Sequence, residues 1–127
     1  MVRELIIILL IFWIVISLDV ITNHYLKENV VMLSNELDNL KGYVVNQKQE
    51  EAILKTQSIK EKWGKVYRIL AYYIEHNELE KVSTEIIKLG AHIDMKDYKE
   101  SISQIDTTKY ILEHIGEKEQ LDWISIF

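Results

Sequence analysis

LKENVVMLSNELDNLKGYV, residues 26–44, carries apolar side chains at Leu26, Val30, Leu33, Leu37, Leu40 and Val44, in alternating steps of four and three. That spacing keeps them on one side of a helix and makes a coiled-coil-like stripe. The stripe loses phase after Val44, because the next positions in register are Gln47 and Glu51. A second stripe opens at Ala52 and continues through Thr56, Ile59, Trp63, Val66, Leu70 and Tyr73. A turn near Asn46 is the economical explanation, with a single long bent helix as the alternative. Tyr67, Tyr72 and Ile74 broaden the second stripe, as expected for a helix packed on two neighbours.

Further along, Asn77 followed three residues later by Glu80 has the form of a capping box and predicts a helix start. Its stripe is Leu79, Val82, Ile86, Leu89 and Ile93, ending near Asp94 with Gly90 in the last turns. Asp97 with Glu100 offers another start. Tyr98, Ile102, Ile105, Leu112 and Ile115 then line a fourth helix that Gly116 is placed to terminate. The chain has no Pro, and its Gly residues stand apart at 42, 64, 90 and 116, so it lacks the turn signals of an all-β fold. Ile favours strands, but here it recurs at helical spacing, and period outranks propensity. The expected fold is all-α, an antiparallel bundle of about four helices.

Upstream, Leu5 to Ile16 is twelve unbroken apolar residues, and Ser17, Leu18, Asp19, Val20 and Ile21 follow. Counted through Ile21, this segment makes about 25 Å of helix, at the lower limit for a bilayer core of roughly 30 Å. Asp19 would then lie near an interface, where a carboxylate is tolerated. No small-x-small site follows for signal cleavage, and no polar face suits the run to a soluble core. Residues 1–21 are therefore read as a single transmembrane anchor and residues 22–127 as one soluble domain, whose first helix grows out of the span. Arg3 against Glu4, and Lys27 beside Glu28, encode orientation only weakly; they favour the amino terminus inside and the domain outside the cytoplasm.

The chain has no Cys, which excludes disulfides, thiolate zinc sites and a lipidated-cysteine anchor. A net charge of −5 argues against nucleic acid as a partner. Charge is unevenly placed: Lys41 to Arg68 holds seven basic residues against three acids, and Tyr72 to Phe127 six Lys against twelve acids. Oppositely charged segments in one small domain suit packing on each other. Lys41, Lys48, Lys55 and Lys62 recur every seven residues and would form a basic stripe facing the acidic half or anionic headgroups.

Little in the sequence suggests catalysis. His76, His92 and His114 have carboxylates nearby, but neither the Glu-x-x-His spacing of di-iron bundles nor a zincin pattern occurs. Four separate Gly cannot build a phosphate loop or a nucleophile elbow. The chain therefore reads as non-enzymatic, with no cofactor, metal site or catalytic residue assigned. Its end, Leu121, Trp123, Ile124, Ile126 and Phe127, is apolar enough to need a cover, from the bundle, the bilayer surface or a partner.

The order of an apolar amino-terminal run, Trp63, Tyr73-Ile74-Glu75-His76-Asn77-Glu78-Leu79, and Leu112-Glu113-His114-Ile115 with Glu117 and Glu119 before an apolar end resembles domain-of-unknown-function family 4363. These are small membrane-anchored proteins of Firmicutes. The likeness covers nearly the whole chain through dispersed positions. Where relatives close with Asn-Ile-Phe, this chain has Ser125-Ile126-Phe127. The resemblance implies a helical domain outside the cytoplasm, genetic neighbourhood with a small multi-spanning membrane protein, and no known activity. It singles out His76, Glu78 and His114 as a polar cluster that would tie the meeting of the second and third helices to the fourth.

Three roles follow as expectations. The leading one is an accessory subunit of an integral membrane protein, held in the bilayer of the cell membrane and engaging its partner through the apolar tail or a bundle face. The second is a metal-binding or pH-sensing bundle built on the histidines. The third is a scaffold that homodimerises through the Leu26–Val44 stripe.

Overall fold

A computed structural model describes the backbone of residues 1–126 and the side chains of residues 1–115. It contains α1 (Val2–Val45), α2 (Gln49–Leu70), α3 (His76–Asp94) and α4 (Tyr98–Ile126). Each helix packs on two neighbours, so the four close a ring in the order α1, α2, α3, α4. Short connections make successive helices antiparallel.

The expected stripes supply the core. Leu26, Leu33, Leu37, Leu40 and Val44 of α1 are buried against Ala52, Ile59, Trp63, Val66 and Leu70 of α2 and their counterparts on α3 and α4. The predicted apolar positions of α3 are buried throughout. Tyr73 departs from expectation: with Tyr72 it lies in the turn after α2, exposed, while Ile74 folds in to close the end of the core. Ser101 and Thr108 occupy core positions in α4 that an apolar count passes over. Thr108 Oγ1 bonds back along its own helix to the Gln104 carbonyl at 2.7 Å, whereas Ser101 Oγ is buried without a partner among the described residues.

α1 is one uninterrupted helix of 44 residues, about 66 Å long. Only its second half belongs to the bundle. Residues 1–18, Val20 and Ile21 are exposed, and this stretch is long and apolar enough to cross a membrane. The backbone is helical straight through residue 21, and full burial begins only beyond it. We call the end of the bundle from which this arm leaves the near end; it holds the α2–α3 turn. The α1–α2 and α3–α4 turns lie at the far end.

Both far-end turns are built alike. Gln47 and Lys96 adopt left-handed φ of 55° and 57°. Lys48 N–H bonds the Tyr43 carbonyl at 2.8 Å, and Asp97 N–H bonds the His92 carbonyl at 3.0 Å. These are two Schellman closures, in which a left-handed residue lets the last turn satisfy its own carbonyls. A residue with a Cβ in this conformation carries strain that glycine avoids. Asp97 then caps α4 as expected, its Oδ1 accepting the Glu100 N–H at 3.2 Å. The proposed box at Asn77 is not used. α3 starts at His76 after Glu75, with no side-chain cap, and Glu80 bonds elsewhere. Nor does Gly116 end the last helix, which continues to Ile126.

Candidate functional site

The polar residues of this protein are arranged as seams between adjacent helices. On the α1–α2 side, Glu36 lies between Lys55 at 2.9 Å and Lys62 at 3.0 Å, its side chain only 16% exposed. The hydrogen bond from Lys55, reinforced by Lys62 and opposed by burial, holds the Glu36 carboxyl below its ordinary range. On the α1–α4 side, Asp38 pairs with Lys109 and Lys41 with Asp106, both at 3.0 Å. Asp38 raises the Lys109 ammonium above its usual value through that hydrogen bond. The lysines at seven-residue spacing therefore do not form one free stripe: Lys41 meets the acidic half as expected, whereas Lys55 and Lys62 converge on α1.

Trp63 and Tyr67 make the α2–α3 seam. Trp63 Nε1 donates to Ser83 Oγ at 2.8 Å, which places a large ring in the core with its one polar atom matched. Tyr67 donates to Glu80 Oε1 at 2.6 Å, and this bond raises the phenol above its ordinary range. His76 Nδ1 lies 3.1 Å from the same hydroxyl, and its Nε2 lies 3.3 Å from Glu80. Across α3 and α4, Gln104 donates to the Glu85 carboxylate and backbone.

His76 joins Tyr67 and Glu80 at the near end. Glu78 accepts from Lys81 at 3.5 Å, one turn along the same helix. His114 stacks on Tyr110 with ring centroids 4.0 Å apart, and its Nδ1 lies 2.8 Å from the Tyr110 carbonyl. The tail residues Leu121, Trp123, Ile124, Ile126 and Phe127 lie outside the described side chains. His92 sits at the far end of α3, roughly 24 Å along the helix from His76. Among the described residues no group of three or more His, Asp or Glu is placed to hold a metal.

Sequence reading missed the Tyr67–Glu80–His76 group and the Glu36 fork. Glu36, Lys55 and Lys62 all flank apolar stripe positions, where ion pairs between neighbouring helices form, but spacing alone does not select the partners. Tyr67 was legible only as one more apolar residue, although its hydroxyl sets its direction.

Residues 20–126 match the family model described as Domain of unknown function (DUF4363), and the chain belongs to that family. No curated protein and no solved structure matches it.

Proposed function

We propose that this protein is a non-enzymatic accessory subunit of an integral membrane protein, anchored in the cell membrane by the first half of α1 and carrying its bundle outside the cytoplasm. The continuity of α1 is the observation that supports this reading most. A single helix leaves the bundle core and continues, without a hinge, into a segment apolar on every side. Such a helix fixes the bundle's height above the bilayer, which suits a subunit that must meet a membrane partner at a set level. The packed aliphatic interior favours a role carried by surfaces: the apolar tail, or one outer face of the bundle. The α1 stripe already packs on α2 and α4 of its own chain, so it is a less natural seam for the scaffold alternative.

Affinity purification from detergent-solubilised membranes tests the proposal, using the whole chain and a chain lacking residues 121–127. Stoichiometric recovery of one integral membrane protein with the whole chain supports it. Recovery of none overturns it, and equal recovery with both chains moves the contact from the tail to the bundle. Sidedness is read from a single Cys at Ser103, an exposed position in a chain without natural Cys. Labelling of intact cells by an impermeant reagent is expected; protection until lysis would place the bundle inside.

A further inference from the structure

Among the described residues outside the span, the α2–α3 turn groups exposed aromatic and aliphatic surface in one place. Tyr72 is 86% exposed, Tyr73 51% and Ile69 45%, with Arg68 exposed beside them. The turn itself is tightly made. Tyr73 and Ile74 N–H groups bond the Leu70 carbonyl at 2.9 and 2.8 Å, and Ile74 is buried beneath it. The tyrosines are therefore held outward by an ordered backbone. At the far end the turn apices are Gln47 and Lys96, and the exposed apolar neighbours Val45 and Met95 include no aromatic.

The height of this turn follows from the packing. Leu70, the last core residue of α2, lines the same apolar crevice as Leu26 of α1. Leu26 is five residues beyond Ile21, a rise of about 7.5 Å. The headgroup layer on each side of a bilayer is about 5–7 Å thick. Tyr72 and Tyr73 follow Leu70 at the near end, so they lie at the level of that layer if α1 spans through Ile21. Tyrosine is suited to this position, because its ring prefers the acyl boundary while its hydroxyl stays hydrated. Arg68 bonds back along α2 to the Gly64 carbonyl at 3.4 Å, so it lies farther from the bilayer than the tyrosines.

We infer that the α2–α3 turn is a second membrane contact, in which Tyr72 and Tyr73 enter the lipid headgroup layer beside the span. This rests on α1 being a membrane anchor. One span leaves a bundle free to tilt about its exit point; a second contact on another helix pair fixes its orientation and turns the far end away from the membrane. The occupant is lipid, since the two tyrosines stand exposed at the end of the bundle from which the apolar arm leaves, at the height where interfacial tyrosines sit.

The test uses the full chain with single spin-labelled cysteines at Leu10, Ala71 or Met95, in vesicles of phosphatidylethanolamine and phosphatidylglycerol. Collision rates with oxygen and with a water-soluble nickel chelate report depth. Leu10 is expected to be lipid-like and Met95 aqueous, with nickel access at Ala71 several-fold below that at Met95. Tyr72→Ser with Tyr73→Ser should return Ala71 to the Met95 value, with helical content unchanged by circular dichroism. An aqueous Leu10 would remove the anchor and this inference together. A lipid-like Leu10 with Ala71 equal to Met95 would remove the inference alone. Shielding of Ala71 in native membranes but not in pure lipid would assign the turn to a protein partner and overturn lipid as the occupant. Shielding that survives the double serine change would show that the tyrosines do not hold the contact.

Discussion

The two halves of α1 share one backbone and differ in what surrounds them. Residues 2–21 present Ile, Leu, Val, Phe and Trp on every side, and all of them but Asp19, which is half-buried, are exposed. Residues 26–45 bury one apolar stripe, which α2 and α4 cover, and outside it are mostly polar, with Val31 and Val45 exposed. The angular width of the apolar surface thus separates the halves: apolar on all sides in the first, as the proposed bilayer anchor requires, and apolar only toward the neighbouring helices in the second. The media also respond differently to a lost atom. A protein core is a fixed packing that leaves a cavity, whereas lipid flows in to fill the gap.

The largest effect expected from that contrast comes from placing an aspartate in each half. Leu37 is 1% exposed, and Leu37→Asp should cost more than about 4 kcal/mol and abolish the cooperative melt. Leu10→Asp should leave the bundle melt intact and instead reduce the carbonate-resistant membrane fraction, since a central aspartate costs about 2.5–3.5 kcal/mol on insertion scales. If Leu10→Asp unfolded the bundle, the two halves would not be energetically separate.

Alanine sharpens the comparison. Leu33→Ala should lower stability by about 2–5 kcal/mol in urea melts of the reconstituted chain. Leu9→Ala should change insertion by only about 0.3–0.6 kcal/mol, the whole contribution of a Leu on that scale. Equal losses at the two sites would mean that the first half also packs against protein.

The Glu36 fork belongs to the bundle half alone. Its folded-state carboxyl titrates below the unfolded value, so its contribution is complete above the ordinary carboxylate pKa of about 4.3 and is lost as pH falls through the lower folded value. Glu36→Gln should cost about 1 kcal/mol at neutral pH, and denaturant melts of the two proteins should converge in acid. The smallest change is at the point where α1 ends. Gln47→Gly should raise stability by about 0.5 kcal/mol by relieving the left-handed conformation, and Lys96→Gly should do the same at the matching turn.

The seams explain why the candidate site was less legible than the fold. Periodicity finds the positions that face a core, and it found nearly all of them, because burying one stripe per helix is the dominant favourable term in such a bundle. Polar pairing depends on rotamers and on the rotation of each helix against its neighbour, which a linear pattern does not contain. Asn77 and Glu80 had the spacing of a cap, yet a tyrosine hydroxyl from another helix took the glutamate. Ser101 and Thr108 are buried although an apolar count passes over them; Thr108 satisfies its hydroxyl on its own helix, whereas Ser101 Oγ has no partner among the described residues.

By itself the sequence determined the helical class, the four stripes, the turns near Asn46 and Asp97, the apolar arm and the family. Each of these depends on local chemistry or on a period carried along one helix. Only the tertiary structure decided that Lys55 and Lys62 converge on Glu36, that Tyr67 joins Glu80 and His76, and that Tyr72 and Tyr73 stand exposed at the end where the arm departs. Those outcomes require residues far apart in the chain to meet at fixed angles, and closing the ring of helices is what sets those angles.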